Sequence, residues 1–142
     1  VVDQQFEVGR QILGHGLMPI IEPEVNITAD DRAQSEQILL AEILRALDAL
    51  DDGTQVMLKL SLPVEANLYK PLVDHPKVLR VVALSGGFSR GEACAHLARN
   101  SGMIASFSRA LLEELRAGMD DAQFDAALAQ AIDEIQAASV AG

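Results

Sequence analysis

The chain has 142 residues, 49% of them apolar and 23% charged, enough for one domain with a real core. Its formal charge of −10 argues against nucleic acid or an anionic membrane as the main partner, because both need a basic surface. No apolar run is long enough to cross a bilayer, no basic-then-apolar leader opens the chain, and the lone Cys94 cannot close an internal disulfide; these features fit a reducing cytoplasm.

Short apolar runs alternate with helical patterns. Val1–Leu13 reads as the end of a helix, closed by Gly14 and Gly16. Leu17–Glu22 is strand-like. Thr28–Leu50 reads as a long helix with the stripe Leu39, Ile43, Leu47 and Leu50, opened by a capping box between Thr28 and Asp31 and stopped by Asp51-Asp52-Gly53. Gln55–Leu62 is a second strand, ended by Pro63, and a short helix covers Glu65–Val73. Leu79–Leu84 is a third strand. Gly86-Gly87 then turns the chain, and Ser89 with Glu92 forms a capping box for a helix to about Asn100. Met103–Phe107 is a fourth strand, and a short helix starts at Ser108. The last helix runs from about Asp120 to Ser139, with Phe124, Leu128, Ile132 and Ile135 on one face.

One helix followed by four strand–helix units implies an α/β fold with a parallel sheet and right-handed crossovers. Four units suit either a small open doubly wound sheet or half of an eight-unit barrel. No linker or internal repeat divides the chain, so residues 1–142 read as one unit.

Lys59 is the clearest oddity. In the strand VMLKLSL, Val56, Leu58, Leu60 and Leu62 share one face, while Gln55, Met57, Lys59 and Ser61 share the other. The aliphatic face suits helices, and the mixed face suits the inside of a barrel. An amine there is partly desolvated, which favours the neutral nucleophile that attacks a ketone. The rival reading is an edge-strand lysine that discourages aggregation, and from the strand alone it is the commoner one.

Glu22 and Glu24 end the first strand on one face. Carboxyls in a dry pocket shuttle protons near neutrality, whereas paired glutamates more often sit at a solvated strand end. Ser85, Gly86 and Gly87 follow the third strand and precede a helix, an arrangement in which backbone N–H groups can cradle a phosphate or simply turn the chain. Arg109 directly follows the fourth strand, where its fork can grip the same anion. In a barrel these are the loops after strands seven and eight, a frequent phosphate site. His15, His75 and His96 lack metal-ligand spacing, and no dinucleotide, P-loop or nucleophile-elbow motif occurs, so neither metal nor cofactor is expected. Cys94, among alanines, reads as a buried structural thiol.

Taken together, GLMPIIEPEVNI, QVMLKLSLP, NLYKPLVDHPKVLRVVALSGGFSRGEA, GMIASFSRALLEEL and the tail QFDAALAQAIDEIQAASV resemble successive signatures of bacterial class I fructose-bisphosphate aldolase, in that family's order and over nearly the whole chain. The resemblance implies a (β/α)8 TIM barrel, with this chain supplying roughly strands five to eight. It implies that Lys59 is the Schiff-base lysine, that Glu22 donates and accepts protons around the carbinolamine, and that Glu24 has a supporting role. It further implies that Ser85, Gly86, Gly87 and Arg109 hold one phosphate of a sugar-phosphate substrate. The activity implied is glycolytic, cofactor-free cleavage of fructose 1,6-bisphosphate. The family draws an aspartate, further lysines and an arginine from the preceding half of the barrel, which has no counterpart here. The missing initiating Met fits a processed or cut chain. Half a barrel leaves two strand edges and an apolar inner face open, so the expected partner is the N-terminal half or another copy of the chain, in an oligomer. The alternative from another class is a non-catalytic half-barrel that assembles and binds phosphate.

Overall fold

The alternation of strand and helix signals gives a single four-stranded parallel sheet. The computed structural model describes Val1–Gly142. Its elements are α1 (Val2–Gly14), β1 (Ile20–Ile21), α2 (Arg32–Asp48), β2 (Val56–Ser61), α3 (Lys70–Val73), β3 (Val78–Leu84), α4 (Arg90–Leu97), β4 (Ile104–Ala105), α5 (Arg109–Leu112) and α6 (Asp121–Ala141). Each strand pairs in parallel with the next in chain order, β1-β2-β3-β4. A doubly wound sheet reverses its strand order at a switch point. This sheet does not reverse, and it is therefore of the kind compatible with half a barrel. No helix is long and apolar enough to cross a membrane.

The core lies on one side of the sheet. Val56, Leu58 and Leu60 of β2 and Val81 and Ala83 of β3 join Leu39, Ile43 and Leu47 of α2, Leu72 of α3 and Leu97 of α4 in one buried cluster. Leu58 and Leu60 are fully buried, each worth about 2 kcal/mol in removed apolar surface. At Gly9 of α1 an added Cβ would stand 2.8 Å from the Ile21 side chain, so the missing side chain lets α1 lie close on β1. On the opposite face Ser61 and Val82 are buried, while Ile20, Met57, Lys59, Arg80, Leu84 and Ile104 remain half-buried or exposed. Consecutive right-handed crossovers place connecting helices on one side only, which leaves this second face open.

Both outer strands have their free edges capped by a helix side chain. Met57 N–H donates to the Pro19 carbonyl at 2.9 Å, so the backbone groups of Ile20 and Glu22 turn outward. There Glu22 N–H donates to Gln5 Oε1 of α1 at 3.0 Å. At the other edge, Ser106 N–H donates to the Ala83 carbonyl at 2.8 Å, so Ala105 N–H turns outward. It donates to Ser139 Oγ of α6 at 3.1 Å. Unpaired edges invite foreign strands, and these two caps shield one donor on each.

Several expected elements change in detail. β1 covers two residues rather than Leu17–Glu22, because Pro19 and Pro23 flank it and proline cannot extend a ladder. β4 likewise shrinks to Ile104–Ala105. The Thr28–Asp31 capping box does not form. Thr28 donates instead through its backbone and its hydroxyl to Asn26 Oδ1, at 3.0 and 2.9 Å, and α2 starts at Arg32 without a side-chain cap. The Ser89–Glu92 box is present as expected, and a second box joins Asp120 to Gln123 at the start of α6. Half of the expected apolar face of α6 packs: Leu128 and Ile135 are half-buried on one stripe with the buried Ala131 and Ala138, whereas Phe124 and Ile132 stay 41% and 49% exposed. Ile132 follows Ala131 and so points about 100° away from it.

Candidate functional site

Lys59 sits in β2, which has a strand on each side. The edge-lysine explanation therefore does not apply. The register sets Ile21 beside Leu58, which brings Glu22 next to Lys59. Lys59 Nζ donates to Glu22 Oε2 at 2.5 Å. The Glu22 backbone is pinned by Gln5, and the segment after it is pinned at Val25. Buried Ser61 Oγ accepts from Val25 N–H at 3.2 Å and donates to the Val25 carbonyl at 2.9 Å.

The two groups are wetter than the sequence suggested. The Lys59 side chain keeps 29% exposure and that of Glu22 48%. Neither lies in a dry pocket, so their pairing rather than burial governs the site. The contact places the amine and the carboxylate within direct proton-transfer distance.

β3 delivers the glycine turn. Phe88 N–H donates to the Ser85 carbonyl at 3.0 Å, closing a four-residue turn whose central Gly86 and Gly87 have φ of 63° and 105°. Side chains are disfavoured at both positions in such a turn. A Cβ on Gly86 would also meet Ile27 at 3.1 Å and Leu84 at 3.3 Å. Ser85 is buried at the base of the turn.

A cleft of about 210 Å³ joins these parts. Glu22, Glu24, Lys59, Ser85, Gly86 and Arg109 line it, together with Leu84, Ser106 and Ser108. Six of the seven residues singled out from the sequence thus share one cleft. Gly87 lines an adjoining cleft of about 440 Å³, which also contains Ser85 and Arg109. Arg109 is exposed and takes part in none of the chain's ion pairs, so its fork is free for an anion. Ser106 and Ser108 were missed by sequence reasoning. Ser106 alternates with Ile104 on the open face, a signal that period-two spacing carries.

The start of α4 is not the open anion site that the sequence suggested. Ser89 N–H donates to Glu92 Oε2 at 3.0 Å, and Arg90 N–H donates to Glu113 Oε2 at 2.7 Å. Protein carboxylates already satisfy these donors, which leaves the Gly86–Gly87 turn and Arg109 as the anion-seeking groups. A wider groove of about 320 Å³ lies between α1 and β1, lined by Gln4, Gln5, Val8 and Ile20 among others. It holds one carboxylate, Glu22, and no cation or nucleophile.

The charges around α4 set an acid limit on stability. The hydrogen bond from Ser89 holds the Glu92 carboxyl below its ordinary 4.5. That from Arg90 does the same for Glu134, with Arg90 Nε on Glu134 Oε2 at 2.6 Å. Groups lowered in the folded state stabilise it above their unfolded value, and that stabilisation is lost as pH falls through the folded value. Denaturant midpoints are expected to fall as pH drops below the ordinary glutamate range, and Glu134→Gln should flatten that slope slightly, since both carboxylates are exposed. An equal slope in Glu134→Gln would remove this pair as a cause.

No known protein-family model matches the chain.

Proposed function

We propose that the chain carries the Schiff-base half of a class I fructose-bisphosphate aldolase active site, built on the second half of a (β/α)8 barrel. The observation that supports this best is the shared cleft. It combines an amine on an interior strand, a carboxylate in contact with it, and a glycine turn facing an unpaired arginine. Such a set suits a phosphorylated ketone.

In this reading Glu22 takes a proton from the Lys59 ammonium, and Nζ then attacks the substrate ketone carbon. Glu22 returns a proton to the carbinolamine oxygen, water leaves, and an iminium remains. The bond between C3 and C4 breaks, and its electron pair moves into the iminium to give an enamine. The C4 hydroxyl loses its proton to a base outside this chain, and glyceraldehyde 3-phosphate departs. Protonation of the enamine and hydrolysis release dihydroxyacetone phosphate and restore Lys59. The Ser85–Gly87 turn and Arg109 hold one phosphate throughout. Glu24, on the cleft wall, has a supporting role. The open sheet face and the edges of β1 and β4 receive the missing half-barrel, and the assembly works in the cytoplasm.

Borohydride reduction of the folded chain with dihydroxyacetone phosphate tests the reading. The expected product is one stable adduct, mapped by peptide mass to Lys59, formed by this chain alone or after addition of a matching N-terminal half. Absence of the adduct under both conditions would overturn the assignment. One observation favours a second reading, a non-catalytic half-barrel that binds phosphate and pairs with its own copy. Both sheet edges already carry caps, from Gln5 and Ser139. A homodimer by sedimentation, without adduct, would select it.

A further inference from the structure

An ion pair lies behind the cleft rather than in it. Arg32 and Glu36 stand one turn apart on α2, with side-chain exposures of 12% and 1%. A buried pair is tolerated only when its remaining donors and acceptors are engaged. Here they are. Glu36 accepts from Arg32 Nε and from Val64 N–H, each at 2.8 Å. Arg32 Nη2 donates to the Leu62 carbonyl at 2.5 Å, and Nη1 reaches the Ile27 carbonyl at 3.5 Å. The guanidinium also lies over the Phe88 ring, 5.5 Å from its centroid.

These contacts span three loops. Leu62 directly follows β2, Ile27 belongs to the segment carrying Glu22 and Glu24, and Phe88 closes the glycine turn. Ile27 also leans on that turn, where it would touch a Cβ at Gly86. Phe88 also stacks on His96, at 4.8 Å between ring centroids. The turn is thus held by the guanidinium on one ring face and by Ile27 beneath its first glycine. Arg32 lines none of the clefts described above, so it does not meet a ligand there.

We propose that Arg32, clamped by Glu36, is a positioning residue that fixes the Ser85–Phe88 turn and registers it against the Glu22 segment. The phosphate role of the turn rests on the reading above, but the holding of the turn does not. Only a planar fork can meet Glu36, Leu62 and Ile27 and still present a face to Phe88. A lysine has one attachment point, and an apolar pair has none.

The test compares the full chain with Arg32→Lys and with the double variant Arg32→Met/Glu36→Leu. The double variant replaces the whole pair by apolar groups, which removes both charges together but leaves Val64 N–H and the Leu62 carbonyl without their side-chain partners. Amide exchange at Phe88 N–H reports the turn, the denaturant midpoint reports the fold, and titration with inorganic phosphate reports Gly86 and Gly87. Exchange is expected to accelerate about fivefold in both variants, the size of a lost cation–π contact, with β2 amides unchanged. Phosphate affinity should fall by a similar factor. A purely structural role predicts wild-type exchange in whichever variant keeps its midpoint, and that result would overturn the proposal. Faster exchange with no phosphate binding even in wild type would uphold the positioning role and remove the phosphate reading instead.

Discussion

Lys59→Ala is expected to abolish the borohydride-stable adduct with dihydroxyacetone phosphate, read as the loss of the added mass on intact protein. The chain has three lysines, and only Lys59 reaches the cleft. Lys70 is paired with Asp74, and Lys77 donates to the carbonyls of Asp48 and Leu50 at 3.2 and 2.5 Å, at the opposite end of β3 from the glycine turn. No other side-chain amine lines the cleft to take its place. Glu22→Gln separates the partners. It leaves the amine but removes the base in contact with it, so the adduct should still form, at a rate lower by about 100-fold. Removal of Lys59 also strips Glu22 of its counter-charge, but Glu22 is exposed and tolerates solvent, so the fold should survive. Undiminished trapping in a folded Lys59→Ala chain would sink the assignment of Lys59.

The pattern that made Lys59 stand out is simple alternation. Aliphatic side chains on one face of β2 and mixed ones on the other follow from the pleat, and the burial of Val56, Leu58 and Leu60 follows directly. That β2 is an interior strand was not readable from the strand itself. It depends on where β1 and β3 fall, and their positions remove the edge-strand reading of Lys59. Element ends were less legible because local side-chain competition decides them. Thr28 looked like a helix cap, but Asn26 sits two residues away and captures both its donors, which moves the start of α2 to Arg32. In α6 the large apolar residues suggested the packing face, but only Leu128 and Ile135 of them pack, on the stripe where the small Ala131 and Ala138 let the helix approach its neighbours. The Arg32–Glu36 pair was silent for another reason. At i,i+4 on a helix it reads as an ordinary solvated ion pair, and only the tertiary approach of Leu62, Ile27 and Phe88 buries it.

Arg109→Ala is expected to weaken inorganic phosphate binding at the Gly86–Gly87 turn by about 10- to 100-fold, the loss of a charge-assisted contact. Arg109 is the cation of both clefts at the turn apart from Lys59, which Glu22 already engages. The overall charge of −10 repels an anion at long range, so a local cation must offset that field. Glu113 sharpens the point. It lines the larger cleft with Arg109 while accepting from Arg90 N–H at the start of α4, so a phosphate approaching the turn meets a carboxylate at the rim. Glu113→Gln keeps an acceptor for Arg90 N–H and removes the charge, and should tighten phosphate severalfold at low salt, with the gain shrinking as salt is raised. The two changes therefore act in opposite directions on one equilibrium. Amide shifts of Gly86 and Gly87 during a phosphate titration measure both. Equal affinity in wild type and Arg109→Ala would place the anion elsewhere, and no gain in Glu113→Gln would mean that its charge does not reach the turn.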